Sequence, residues 1–394
     1  MSSTAAEPVI LDALRTPFGR PNGALREQRP DAMLAGLLTH LAGRHEDVPL
    51  RAEDFIAGCV SQAGEQGANI ARLALMLAGW PHQVPGVTLN RMCGSSQQAV
   101  HFGAQAIAAG DMRYVVAGGV ENMSRVPMFT DLTLGRHAFT GFDILNPALL
   151  ERQPLIHQVE SAERIAEQWG IERQELDDWA RLSHERAWAA AQIADREIVA
   201  VDATASDGSA MRQSVDEGIR QKVDPSRMAA LPPVFREPGK GRVTAANASQ
   251  IADGASLVWL GERSAALADG YRPRARFLAR VAVGSDPVMQ LTGVIPATHT
   301  ALQRAGLSVT DLDWIEVNEA FASVVLAWLR EFPVDTGKVN PWGGAIAHGH
   351  PLGATGAGLM AKMLAGMEAT DGELGLQVMC IGHGMATATV IQRI

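Results

Sequence analysis

The chain has 394 residues, too many for one compact core and enough for two or three domains. Hydrophobic residues make up 47% and charged residues 20%, a balance that excludes a disordered chain. The formal net charge of −9 excludes nonspecific nucleic-acid binding, which needs a basic face, although a few local arginines suffice for an anionic ligand.

In chain order, the first 120 residues alternate short apolar runs with helical segments, which predicts an α/β region with a mainly parallel sheet. Val9–Leu11 reads as a strand, Asp31–Ala42 as a helix and Asp54–Val60 as a strand. Ala68–Ala78 is a second helix, stopped by Gly79, Trp80 and Pro81. Val87–Leu89 reads as a short strand running into Asn90-Arg-Met-Cys93. A helix follows from Gly94 to Ala109, closed by Gly110-Asp111, and then a buried strand at Tyr114–Ala117.

From about Glu121 to Asn247 the character changes to polar helical pieces, Ser161–Gln168 and Arg173–Ala191, with no clear strand. A charged turn at Asp202–Asp207 and a Pro-rich bend at Leu231-Pro-Pro233 complete what reads as a large insertion. From about Arg272 the alternation returns. Strands are expected at Arg274–Ala282 and Trp314–Val317, helices at Ala297–Ala305 and Ala320–Leu329, and a pair of strands at the C-terminus. A short internal echo links the two α/β regions: Gln98–Ala109, Gly110-Asp111 and Tyr114–Gly119 run in the same order as Gly358–Met367, Asp371-Gly372 and Leu376–Gly382. A duplicated architecture is therefore expected.

Three widely spaced cysteines, Cys59, Cys93 and Cys380, make neither a disulfide framework nor a zinc-like cluster. No metal is expected, and a reducing compartment, the cytoplasm, fits. Met1–Arg20 lacks a basic start followed by an apolar stretch, so no secretory signal is expected. No run approaches a membrane span, and the final Gln-Arg-Ile is not a peroxisomal address.

Cys93 stands between a strand and a helix. That position aims backbone N–H groups and the positive helix end at the sulfur and favours its thiolate. A buried structural cysteine fits the same placement, and the residues alone leave both readings open. The glycine-rich stretch Asn340–Gly358 carries His348 and His350, either of which can take a proton from a thiol. It also reads as a glycine-rich turn opening a helix. Cys380 ends an apolar strand beside Gly382 and suits either proton exchange with a carbon acid or simple burial. Asn318, at another strand end, can hold a water or an oxyanion, or cap a helix. Cys59 lacks such a neighbourhood and reads as core.

Together these segments resemble one family. Asn90-Arg-Met-Cys-Gly-Ser-Ser-Gln-Gln-Ala99, Asn318-Glu-Ala-Phe-Ala322, Gly343-Gly-Ala-Ile-Ala-His-Gly-His-Pro-Leu-Gly353 and Cys380-Ile-Gly382 are similar to the signature segments of the thiolases. Gly118–Ser124 and Val243–Ala255 are similar to further family segments, and the resemblance runs in the family's order over nearly the whole chain.

The resemblance implies an α/β thiolase fold of two duplicated βαβαβαββ halves with a large loop domain inserted in the first. The divisions are then 1–120 plus 248–271, 121–247 for the inserted CoA-binding loop domain, and 272–394. It implies an acyltransferase with Cys93 as the acylated nucleophile, His350 as its base and Cys380 as acid and base at the acetyl carbon. Asn318 would hold a water that forms one oxyanion hole with His350, and the backbone N–H groups of Cys93 and Gly382 would form the other. Ser249, Arg220, His157, Ala245, Ala320 and Phe321 match positions that contact CoA or the acyl group. CoA enters as co-substrate with no resident cofactor. The expected partners are acyl-CoA and CoA, not nucleic acid or membrane, in a homodimer or homotetramer. The implied reaction is cleavage of 3-ketoacyl-CoA. The alternatives are condensation of two acetyl-CoA molecules and a noncatalytic acyl-CoA-binding relative, which the retained cysteine–histidine–cysteine set argues against.

The chain departs from the family pattern at several positions. His348 replaces an apolar residue, His383 a glycine, Val294 a proline, and Gln158-Val159 a Met-Gly pair.

Overall fold

The computed structural model describes residues 6–133, 141–153, 155–193 and 197–394. Among them, eleven strands follow one another: β1 (Pro8–Arg15), β2 (Asp54–Gly58), β3 (Gly86–Leu89), β4 (Tyr114–Asn122), β5 (Val201–Thr204), β6 (Ala210–Gln213), β7 (Asp253–Glu262), β8 (Ala275–Gly284), β9 (Trp314–Val317), β10 (Leu374–Ile381) and β11 (Met385–Arg393). Nine of them form one sheet in the order β3-β2-β4-β7-β1-β8-β11-β10-β9.

The order holds the duplication. Outward from β1, the first half runs first strand, last strand, then the strand after the long helix, then the earlier parallel strands. Outward from β8, the second half repeats this, and a parallel bridge from Ile315 to Val339 stands where the outermost strand would be. Within the sheet, the halves join where Val9 and Ile10 of β1 pair with Arg276 and Ala275 of β8.

The echo seen in the sequence marks the two central helices, Ser95–Ala109 and Leu352–Thr370. Both end on a left-handed residue, Gly110 (φ 84°) and Asp371 (φ 55°), which stops the helix and feeds the next strand. They pack on each other between the halves of the sheet, and Leu352–Met367 is buried on every face. A helix so enclosed must be almost wholly apolar, as this Ala-, Gly- and Met-rich segment is apart from Thr355 and Lys362. Gly356 allows the close approach: a Cβ there would lie 2.4 Å from the Gln97 backbone nitrogen.

Most predicted elements stand within a few residues of their expected places, and Trp314–Val317 matches. β4 extends past Ala117 to Asn122, because its two glycines sit where a Cβ would strike the Ser256 and Gly353 carbonyls. No strand is predicted at β7, yet it lies between β4 and β1 and pairs with both. The insertion is also not strand-free. Asp202, expected in a turn, belongs to β5, which pairs with β6 in a separate ribbon turning at Asp207-Gly208. Each strand is only four residues long and β6 is almost wholly exposed, so the one alternating pair in β5, Val201 and Ala203, is too short to betray the ribbon.

Although inserted in the first half, helices Gln158–Gln168 and Arg173–Ala190 pack on the second. Ile165, Ala166, Leu176 and Ala180 share one core with Val324, Val325 and Trp328 of helix Ala322–Glu331.

One buried ion pair ties the central helix to the sheet. Lys362 Nζ lies 3.0 Å from Glu316 of β9 and donates to the Gly343 carbonyl, and it lies 3.4 Å from His348 Nε2. Replacing Lys362 with Met leaves the Glu316 charge buried and alone. Lys362→Met is expected to lower unfolding free energy by about 3–5 kcal/mol, read as a fall in the urea midpoint. An unchanged midpoint would remove the pair from this role.

Candidate active site

The residues singled out from sequence collect at the carboxyl ends of parallel strands, where open α/β sheets hold ligands. Cys93 follows β3, Asn318 follows β9 and Cys380 lies near the end of β10, and Glu121, which the sequence did not single out, lies at the end of β4.

The turn before Cys93 is held by its own side chains. Asn90 Oδ1 accepts from the Met92 N–H at 2.7 Å, while its amide donates to the Val60 carbonyl. Ser95 Oγ donates to the Met92 carbonyl at 2.6 Å and accepts from the Arg91 N–H at 2.9 Å. So held, Met92 adopts φ 45°, a left-handed conformation costly for a side chain of its size. The result is a tight strand-to-helix turn with the Cys93 sulfur in a largely buried pocket formed with Val60, Met123, Leu352, Met379 and Ile381.

Two amides, of Gly382 and of Cys93 itself, reach the sulfur and favour its anion. Burial outweighs them, and the neighbouring Cys380 sulfur adds to it, so the Cys93 thiol is pushed up to about 12. The expected thiolate is therefore not the resting form. The helix start does not compensate, because desolvation dominates.

Cys380 is fully buried, and burial pushes its thiol up to about 11. The Asn318 amide, 3.9 Å from its sulfur, and the Ala320 N–H act in the opposite direction. Asn318 Oδ1 has no hydrogen-bond partner among the described residues.

His350 is oriented by its neighbours. Thr355 Oγ1 donates to the Pro351 carbonyl, so it can only accept from the His350 ring, whose Nδ1 lies 2.6 Å away. Nδ1 therefore carries the proton and leaves Nε2 an acceptor, buried without a partner among the described residues. Burial lowers the imidazole to about 4, so it is a neutral base at neutral pH. His348, two residues away, spends Nδ1 on the Gly349 carbonyl and faces Lys362 with Nε2.

Buried carboxylates join these loops. Glu121 accepts from the N–H groups of Val60, Ser61 and Gly353 and from the Gln66 amide, at 2.8–3.0 Å. It thereby ties the loop under Asn90 to the start of the helix after His350. Glu319 accepts from Trp179, Ser183, Asn340 and Ile346, joining the insertion to the Asn318 and His348 segments. The Ser249 N–H donates to the Ala320 carbonyl and the His350 N–H to the Gln250 carbonyl, so one strap links both. Ala248 bridges to Phe321 across it.

Toward the insertion, Arg220 is exposed at a depression of about 260 Å³ that it lines with Lys222, Arg227, Met228 and Leu231. Ala245 lines the adjoining small pocket with His184 and Gln250. Lys222 and Arg227 are absent from the sequence expectations. Three cations within Arg220–Arg227 of an acidic chain were the available signal. His157 accepts from the Val159 N–H with Nδ1 and stacks on Phe235 at 5.4 Å, while Gln158 packs against Gly382.

The chain matches the family model described as the thiolase N-terminal domain over residues 8–264 and that of the thiolase C-terminal domain over 271–393. The chain belongs to the thiolase family, and it is an acyltransferase. It is 45% identical to a steroid 3-ketoacyl-CoA thiolase of Mycobacterium tuberculosis, covering 98% of this chain and 94% of that protein. It is 42% identical to a 3-ketoacyl-CoA thiolase of Yersinia enterocolitica, covering 98% and 99%. The crystal structure of the Bacillus anthracis acetyl-CoA acetyltransferase superposes with a TM-score of 0.90 at 32% identity, over the whole of both chains.

With the Cys93 thiol raised, its thiolate fraction grows about tenfold per pH unit across the neutral and mildly alkaline range. Alkylation of Cys93 in the free enzyme is expected to accelerate steadily from about pH 7 to about pH 10. Rates followed by mass spectrometry that level off near neutrality would mean a thiolate already formed.

Proposed function

We propose that this enzyme cleaves 3-ketoacyl-CoA with CoA, giving acetyl-CoA and a shortened acyl-CoA through an acyl-Cys93 intermediate. The observation that carries the proposal is the convergence on Cys93 of the Gly382 N–H and the Cys380 sulfur, with a partnerless imidazole nitrogen on His350. The names of the two relatives support the degradative direction over condensation of two acetyl-CoA molecules.

His350 Nε2 takes the Cys93 proton as the sulfur attacks the 3-keto carbon, so no free thiolate need accumulate. The developing alkoxide sits between the N–H groups of Cys93 and Gly382. The C2–C3 bond then breaks, its electrons forming an acetyl-CoA enolate, and Cys380 protonates C2. Asn318 holds a water that meets the enolate oxygen together with His350. In the second half-reaction free CoA loses its thiol proton to the site, attacks acyl-Cys93 and leaves as the shortened thioester. CoA acts as co-substrate, with its phosphates toward Arg220, Lys222 and Arg227 and its pantetheine along Ser249, Ala245, Ala320 and Phe321. His157 lies on the acyl side.

We also place the enzyme in the cytoplasm, where three free thiols persist, and assign it as a homodimer. The support for the dimer is the open edge of β3, flanked by the exposed Met76, Leu77 and Val87.

Incubating the enzyme with a 3-ketoacyl-CoA but no CoA is expected to leave an acyl group on the Cys93 peptide, and Cys93→Ser should abolish it. An adduct confined to Cys59 or Cys380 overturns the assignment.

Cys380→Ala separates the two thiols. Enolate formation needs a base beside the acetyl carbon, whereas thioester exchange does not. The variant is expected to keep acyl exchange between CoA molecules better than it keeps carbon–carbon cleavage, and to stop taking deuterium into the acetyl-CoA methyl. Equal loss of both activities would sink this role.

A further inference from the structure

Two of the residues at which the chain departs from its family, Gln158 and His383, lie 225 positions apart in sequence and come together at Gly382, a wall of the Cys93 sulfur that the Gln158 side chain packs against and that His383 follows in the chain. Gln290 brings them there. Its side-chain oxygen accepts from the His383 N–H at 2.9 Å, and its amide donates to the Ile156 carbonyl at 3.1 Å and to Ser161 Oγ at 2.8 Å. Gln290 is itself buried, so this clamp fixes the segment around Gln158 against the turn at His383. Ser161 Oγ adds a hydrogen bond to the Val288 carbonyl, closing the same junction.

The wall lies next to the nucleophile. The Gln158 amide nitrogen packs so closely on Gly382 that a Cβ there would meet it at 2.5 Å, and the Gly382 N–H is one of the two that reach the Cys93 sulfur. His383, the next residue, is held in the left-handed region at φ 61°, a conformation that glycine adopts more cheaply, and its ring meets Phe142 edge-on at 5.7 Å. Keeping a large side chain there costs backbone strain, which persists where the surroundings over-determine it.

Unlike Gln290, which uses both ends of its carboxamide, the Gln158 carboxamide and the His383 imidazole are both half-buried and make no side-chain hydrogen bond among the described residues. A saturated alkyl chain laid over them would strip away their water and return nothing. An oxygen on the acyl group would satisfy them.

We propose that Gln158 and His383 are specificity-determining residues, and that the acyl group accepted here carries an oxygen function within a few carbons of its 3-keto carbon. Carbonyl, hydroxyl and carboxylate oxygens share the required chemistry. The proposal rests on the reading that the acyl group is held on Cys93.

Its test uses the full chain and three six-carbon 3-ketoacyl-CoAs that differ only at C6, bearing a methyl, a hydroxymethyl or a carboxylate terminus. CoA-dependent cleavage is expected to favour at least one oxygenated substrate over the methyl one by about tenfold or more in kcat/KM. In the Gln158→Met, His383→Gly double variant that ratio should fall toward one. Preference for the carboxylate alone, or for both oxygenated substrates, identifies which oxygen is bound. A wild-type enzyme that treats the three alike or prefers the methyl terminus overturns the proposal, as does a variant that loses all three activities by the same factor. If the double variant does not fold, the wild-type ratio decides. The Cys93 adduct with acetoacetyl-CoA is measured separately: its absence refutes the nucleophile, whereas its presence with no oxygen preference refutes only the specificity.

Discussion

Glu121 is shut away from solvent at the end of β4 with no ion pair among the described residues, and its two oxygens take hydrogen bonds from four N–H donors and from the Cys59 thiol. Burial pushes its carboxyl up, and those donors pull it back. A buried carboxylate is tolerable only while its donors stay in place, so the requirement runs both ways. The Val60–Ser61 turn and the Gly353 amide cannot move without exposing the deficit. Because the first supports Asn90 and the second opens the helix after His350, a charge that takes no part in bond making sets the spacing of the loops that do.

The second half meets the same constraint differently. Glu319 has donors from the insertion, from Asn340 and from Ile346, while Glu316 is neutralised by Lys362. Lys362 therefore touches the strand leading to Asn318 and the segment leading to His350. The insertion becomes part of the catalytic frame through Trp179 and Ser183, which explains why it packs on the second half although it leaves the first. Its freedom to vary in sequence is limited where it meets these carboxylates.

Electrostatically, the site favours neutral reactants. Burial raises both thiols and lowers His350, so these three groups rest uncharged. Charge appears only as bonds form, at positions already facing N–H donors. That arrangement suits chemistry in which an alkoxide and an enolate form and vanish within one cycle.

From the sequence alone came the repeated strand–helix pattern, the insertion, and the identity of Cys93, His350, Cys380 and Asn318 as candidates, because each sits in a local segment whose apolar run, glycines and neighbours are contiguous. Tertiary structure decided what depends on contacts between distant segments. β7 was invisible because a strand between two others needs no alternation. The resting state of Cys93 was misjudged because a helix start is local, whereas desolvation comes from Val60, Leu352 and Ile381, which are far apart in sequence. The His350 tautomer needed Thr355 and Pro351 in place, and the placing of Gln158 near His383 needed Gln290 to bind His383 and the Ile156–Ser161 segment around Gln158. Residue type and local order are written along the chain, but burial and hydrogen-bond partnership are properties of the packed molecule.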